Sequence, residues 1–405
     1  MKGADLYLLD LQTERAHKVI VTLPDDRIDS PVRNIDASKL IANWNVSPDG
    51  AQAVVEARGR IWRVPLANSS SPRMLTHGAA AERYPASSPD GRWIAYFSDV
   101  TGEYQLYLAP SDGSGALKRL TSLGAGFRFP PSWSPDSENI AFSDSTGSIY
   151  VHSLRISETK KIHQDVFVRQ PQLSWSPNSS WLGFTRSADS QQAIWLYEIQ
   201  TGETHQVTGG GYDDKWPTFD RNGDYLFFVS NRNFDGLTYD SVDYSNFIYP
   251  STELLMALPL RRDLPSPDAK PISRHSGEPA KPLVVDFDKI ERRAVVVASE
   301  VGTYSDLAIA DDGSLLYKFM PPGAGPSLKR LSFGASDAGG PKLVLNNVGD
   351  FKVSGDGRKL FIREGAGIIR VDPVSGQKSV ESIAFTNMPL DIDPAVEWKQ
   401  IFVEA

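Results

Sequence analysis

A short turn recurs seven times along this chain and restricts its fold more than any other feature. It reads Ser47-Pro48-Asp49-Gly50, Ser88-Pro89-Asp90-Gly91, Ser134-Pro135-Asp136-Ser137 and Ser176-Pro177-Asn178-Ser179. Degenerate copies follow at Asp220-Arg221-Asn222-Gly223, Ala310-Asp311-Asp312-Gly313 and Ser354-Gly355-Asp356-Gly357. Measured at the third residue, the spacings are 41, 46, 42, 44, 90 and 44. A period near 44 matches one four-stranded blade per repeat, in which each sheet is too small to bury its own faces and must stack on its neighbours. The 90-residue gap equals about two periods. It holds either an eighth, decayed repeat or one blade with an insertion. Residues 231–282 are rich in Pro, Ser, Asp and Asn and contain one good strand, Glu253–Leu260, which favours the insertion.

The segments around the turns read as strands. IAYFSD (94–99), IAFSDS (140–145), LGFTRS (182–187) and YLFFVSN (225–231) are aromatic and aliphatic and are bounded by Gly, Asp, Asn or Ser. Third strands follow at RIWRVPL (60–66), YQLYLAP (104–110), SIYVHSL (148–154), AIWLYEI (193–199) and GIIRVDP (367–373). The expected fold is all-β: a seven-bladed β-propeller of four-stranded antiparallel blades over residues 38–385, with the insertion at 231–282. Trp133 and Trp175, each two residues before the turn Pro, are expected to pack blade against blade. Closure of the ring is expected to rest on side-chain packing between the first and last blades, around Trp44 and Phe351.

The ends do not fit the repeat. Residues 1–37 carry outer strands without an inner half. In residues 386–405, Asp393 is a candidate N-cap and Pro394 a first helical residue, with Trp398, Ile401, Phe402 and Ala405 on one face. This pattern suggests a piece of a longer polypeptide, with the helix leading onward.

Composition sets the remaining bounds. Of 405 residues, 40% are hydrophobic and 23% charged, enough apolar matter for a core. Net charge is −8, so no basic surplus exists for general nucleic-acid binding. The absence of cysteine excludes disulfides, thiolate metal sites and a cysteine nucleophile. No apolar run is long enough to span a bilayer, and the amino-terminal stretch lacks the pattern of a signal peptide. A cytoplasmic location is expected, or a periplasmic one if a signal has been removed.

The six histidines show no metal-ligand spacing, and no G-x-S-x-G elbow occurs. Gly209-Gly210-Gly211 lacks the Lys-Ser/Thr that a phosphate loop requires. The acidic turn residues lack the D-x-D-x-D spacing of a calcium loop and read as turn caps. No cofactor, metal or catalytic residue is therefore expected, and the chain alone should not hydrolyse peptides. One pattern points to function. A cation precedes the first strand of four consecutive blades: Arg83 in ERYP, Arg128 in FRFPP, Arg169 in VRQPQ and Lys215 in DKWP. These four are candidates for a cationic collar at one mouth of the pore, attracting peptide carboxylates. The competing reading is solvated or locally paired charge, with Glu82, Asp165, Asp213 and Asp214 as nearby partners.

Several stretches resemble one family. ERYPASSPDGRWIAYFSDVTGEYQLYL and PPSWSPDSENIAFSDSTGSIYV resemble the propeller repeats of tricorn-type serine peptidases. FIYPSTELLMALPLRRDLPSP resembles the linker inside that family's seven-bladed propeller. DPAVEWKQIFVEA resembles the lead-in to its catalytic core, and DLYLLDLQTERAHKV the last blade of the preceding six-bladed propeller. The resemblance implies a non-catalytic propeller that gates peptides toward catalytic domains of the same parent chain, a serine peptidase for which a homo-oligomer is a candidate assembly. A free-standing TolB-like propeller that scaffolds protein partners is the alternative.

Overall fold

The computed structural model describes residues 7–9, 11–19, 32–66, 71–165, 170–188, 191–233, 238–239, 247–248, 251–267, 282–334, 340–376 and 380–404. The chain divides into two units. Residues Asp36–Met388 form one; Met1–Ile35 with Pro389–Ala405 form the other.

The larger unit holds seven four-stranded antiparallel sheets, each with its strands in chain order. Blades 1 to 7 begin at Ile41–Val46, Glu82–Ser87, Ser132–Trp133, Leu173–Trp175, Asp214–Phe219, Thr303–Ile309 and Phe351–Val353. The long gap is one blade. Between the second and third strands of blade 5, Tyr225–Ser230 and Leu254–Pro259, lies a ribbon pairing Thr238–Tyr239 with Phe247–Ile248. Its fourth strand, Val295–Ala298, comes only after a second excursion that ends in a 3-10 turn, Ile290–Arg293.

The turns hold their shape by one repeated circuit. In blade 1, Ser47 Oγ donates to Asp49 Oδ1 (2.5 Å) and accepts from Gln52 N–H (3.0 Å), while Asp49 Oδ1 accepts from Ala51 N–H (3.0 Å). The same bonds recur at Ser88/Asp90, Ser134/Asp136, Ser176/Asn178 and Ser354/Asp356. At the blade 5 turn, Asp220 replaces the serine and accepts three backbone N–H groups itself. The acidic turn residues are thus occupied in capping backbone, which is why Ser, Pro and Asp recur together.

Apolar packing lies between blades. Clusters join blades 1 and 2 through Ile61, Tyr96 and Tyr107, and blades 2 and 3 through Phe97, Trp133 and Phe142. Others join blades 3 and 4 through Trp175 and Phe184, and blades 4 and 5 through Leu196, Phe219 and Phe228. Phe227, Tyr304 and Phe333 join blades 5 and 6; Leu316, Phe351 and Ile362 join blades 6 and 7. Trp133 and Trp175 also send their indole N–H back to the preceding blade, to Ala86 O (3.0 Å) and Ser132 O (3.1 Å).

The seam between blades 7 and 1 differs from the expectation of side-chain packing alone. Trp44 Nε1 donates to Asp350 Oδ2 (2.7 Å), Arg363 to the Ile41 carbonyl, and Gly355 N–H to Pro48 O (2.9 Å). The last is a main-chain bond. Phe351 packs instead in the cluster toward blade 6. The ends of this unit also meet: Ala37 N–H donates to Met388 O (2.9 Å), and Met388 N–H to Asp36 Oδ1 (3.2 Å).

In the smaller unit Tyr7–Leu9 pairs with Ala16–Lys18, and the strand beginning at Arg33 pairs with Pro389–Ile392. A helix follows over Pro394–Glu404, with Asp393 Oδ1 capping Ala395 N–H (3.0 Å). Trp398, Ile401 and Phe402 are exposed; Ala405 lies outside the described residues. Among the described residues no helix is long and apolar enough to cross a membrane.

Candidate functional site

The first strands of all seven blades line two contiguous cavities of about 590 and 510 Å3, which share Pro130, Pro131, Asp350 and Lys352. The smaller draws on blades 1, 2, 3 and 7, the larger on blades 3 to 7. Together they are the central channel, and the first strand of each blade is the innermost.

Four innermost strands are bulged where they meet the channel; the slip in blade 1, between Ile41 and Asn43, has no left-handed residue, and the other three share one form. The register slips between Arg83 and Ala86, between Lys215 and Thr218, and between Ser305 and Ala308. In each of these three one non-glycine residue is left-handed: Tyr84 (φ 55°), Trp216 (φ 57°) and Asp306 (φ 52°). Such a backbone costs about 1–2 kcal/mol per residue and persists only where neighbours hold it. At Tyr84 and Trp216 the preceding blade holds it. Tyr84 N–H donates to Glu56 Oε2 (3.1 Å), and Trp216 N–H to Gln172 Oε1 (2.6 Å). Glu56 is buried; burial raises its carboxyl, against the pull of Asn43, the Tyr84 N–H and Arg83.

The structure separates the four candidate cations. Arg128 is buried (2% exposed), its guanidinium 2.9 Å from the equally buried Asp144, and its other arm reaches the Gly124 carbonyl. Arg128 is thus a buried, locally paired charge. Burial alone would lower Lys215, but Asp213 (2.8 Å) and Glu253 (3.6 Å) outweigh it and hold the ammonium above its ordinary value. Arg83 lies over the rings of Tyr104 (5.5 Å) and Phe127 (5.4 Å). Arg169 lies outside the described residues. The partner found for Arg128 was missed because Asp144 lies 16 residues away, brought across by a single bridge between strands.

Other charges at the channel are also matched. Lys318 Nζ lies 2.5 Å from Asp306, and Lys352 Nζ 3.7 Å from Asp350, whose other oxygen takes the Trp44 indole. Arg363 adds a cation whose guanidinium donates to the Ile41 carbonyl. The rest of the wall includes Asn43, Asn45, Gln170 and Gln172, prolines 85, 130, 171 and 217, and the rings of Tyr84, Phe129 and Trp216. The sequence pattern marked the cation of each cation-X-Pro triplet. The residue X and the proline are what line the channel.

This geometry matches known proteins. The model of the tricorn protease second beta propeller domain matches residues 41–374. Over 445 residues the chain is 23% identical to tricorn protease homolog 1 of Streptomyces coelicolor, covering 99% of this chain and 41% of that protein. A TolB homolog of Chlorobium chlorochromatii is 27% identical but aligns with only 35% of this chain. The crystal structure of the tricorn protease superposes with a TM-score of 0.77 at 17% identity, over 99% of this chain and 39% of that one. The chain thus spans less than half of the tricorn relatives it matches along its whole length. The seven blades and the match across four-fifths of the sequence place this chain in the tricorn protease second beta propeller family.

Proposed function

We propose that this propeller guides peptides through its central channel toward the catalytic domains of a tricorn-like serine peptidase carried on the same parent chain. The observation that carries the reading is the continuous channel, walled by all seven blades with matched charges, side-chain amides and prolines. Such a wall offers hydrogen bonds and apolar contact to an extended chain without fixing its sequence. The chain contributes positioning and access and leaves bond cleavage to the rest of the parent. The long alignment with tricorn homologues, against the short one with a TolB homolog, favours this over a free-standing scaffold.

The test narrows the pore in the full-length parent. Pro130→Trp in blade 3 and Leu307→Trp in blade 6, the latter within the Ser305–Ala308 bulge, place large rings on well-separated parts of the wall. Hydrolysis of a long unstructured peptide should fall by at least ~10-fold, an activation difference of about 1.4 kcal/mol. Hydrolysis of a very short peptide should fall less. Equal rates for the long peptide in wild type and both variants would reject the channel as the route.

A further inference from the structure

We infer that Tyr84, Phe129 and Trp216 form an aromatic clamp in the channel, gripping extended polypeptide through apolar and aromatic side chains. The inference rests on the channel reading above and names what the channel selects. The three rings come from blades 2, 3 and 5, so they face the lumen from separate parts of the ring. Tyr84 and Trp216 are there because of the bulges. A β-bulge re-aims a side chain, and both bulges keep a costly left-handed residue at the lumen. Both rings also pack against interblade clusters, but such packing alone does not call for that backbone: Trp133 and Trp175 pack between blades without it. Gln172 and Glu56 each direct an acceptor at the strained N–H, so the rings are held before any ligand arrives. Phe129 is braced edge-on by Phe127 (5.9 Å), which also braces Tyr84 (6.0 Å).

Arg363 lines the cavity of Tyr84 but donates to the Ile41 carbonyl, and the cations nearby are engaged too. Lys215 is neutralised by Asp213 and Glu253, and Arg128 by Asp144, while Arg83 lies over Tyr104 and Phe127. The prolines beside the rings have no N–H to donate. Ring faces are therefore the strongest contacts offered to a passing chain, and braced rings lose little rotamer freedom on binding. The occupant is an extended, unstructured polypeptide, favoured where it carries Phe, Tyr or Leu. Unlike a cationic collar, such a clamp is nearly indifferent to salt.

The experiment uses this 405-residue chain and two uncharged, end-capped, fluorescein-labelled 12-residue peptides. One is built of Ser, Gln and Ala; the other carries three Phe. Anisotropy should show the Phe peptide bound at least ~10-fold tighter, with the ratio unchanged from low to high salt. Tyr84→Leu and Trp216→Leu keep an apolar side chain and remove the ring; each should cut the ratio by ~3- to 10-fold, and Trp216→Phe should restore most of it. Thermal melts establish that each variant is folded. A ratio unchanged in both Leu variants overturns the clamp. If Leu307→Trp still weakens both peptides in that case, the channel reading survives without it. If Leu307→Trp changes neither affinity, both fail.

Discussion

Five of the seven turns carry glycine at the fourth position, and blades 3 and 4 carry Ser137 and Ser179, which adopt the same left-handed backbone at φ 62° and 63°. The hydroxyls explain the exception. Asp90 N–H of blade 2 donates to Ser137 Oγ (3.0 Å), and Asp136 N–H of blade 3 to Ser179 Oγ (3.0 Å). The turns are therefore linked from blade to blade. Ser137→Ala keeps the strained Cβ and orphans the Asp90 donor, a loss of about 1–2 kcal/mol in urea unfolding. Ser137→Gly loses the bond but relieves the backbone by about 1 kcal/mol, so it should be the milder variant. The reverse order would reject the hydroxyl's role. Glu82 provides a pH test. Burial pushes its carboxyl up to about 7, Thr76 (2.6 Å) and Arg60 draw it back, and Asp99 adds to the rise. A raised carboxyl binds protons more tightly in the folded state. Its contribution is therefore complete below the unfolded value near 4.5 and lost as pH rises through about 7. Glu82→Gln should gain stability relative to wild type from pH 5 to pH 8, on the order of 1–3 kcal/mol. A difference independent of pH would place the titration elsewhere.

At the scale of elements, the blades were legible because their turns need particular residues, and those residues recur in sequence. The bulges were not. The Tyr84 and Trp216 bulges are held by side-chain acceptors of the preceding blade, and nothing in Arg83-Tyr84-Pro85 or Lys215-Trp216-Pro217 states that Glu56 or Gln172 waits across the blade junction. The described cations of the collar pattern differ for the same reason: at equal sequence positions they meet unequal partners. The fourth strand of blade 5 was also hidden, since 35 residues separate Pro259 from Val295 and no turn signal marks its start. Blade 3 shows the consequence for Arg128. Its innermost strand is only Ser132–Trp133, and the approach to it is fixed by the Arg128–Asp144 bridge and the buried ion pair. Arg128→Ala leaves Asp144 charged and buried and should cost about 3–5 kcal/mol of stability. Arg128→Lys should recover only part, because a single ammonium cannot reach both Asp144 and the Gly124 carbonyl. A surface-like loss under about 1 kcal/mol, with altered peptide handling instead, would return Arg128 to the pore.

The whole molecule closes without a strand shared between its ends. Each blade, including the seventh, takes its four strands from one continuous stretch of chain. The seam therefore depends on what blades 7 and 1 present to each other. Gly50 shows how closely they meet: a Cβ there would lie 2.8 Å from Phe361 Cζ, and its φ of 66° already disfavours a side chain. The Trp44–Asp350 bond fastens the channel side of the seam, and the Gly355–Pro48 bond fastens it at the turns. With fasteners at both places, the seam should open no more readily than other junctions in the wild-type ring. Trp44→Phe removes the channel-side donor at a cost of about 1–2 kcal/mol. Gly50→Ala strains the turn side by a similar amount, about 1–2 kcal/mol. Hydrogen exchange distinguishes seam opening from general weakening, because local opening exposes only the amides it frees. In both variants, faster exchange should be confined to Gln52–Ala57 and Arg60–Pro65 of blade 1 and Leu360–Glu364 and Gly367–Val371 of blade 7. Trp181–Ala188 of blade 4, across the ring, should keep its wild-type protection. Equal acceleration in blade 4 would mean that the ring unfolds as one unit and that these two contacts do not hold the seam locally.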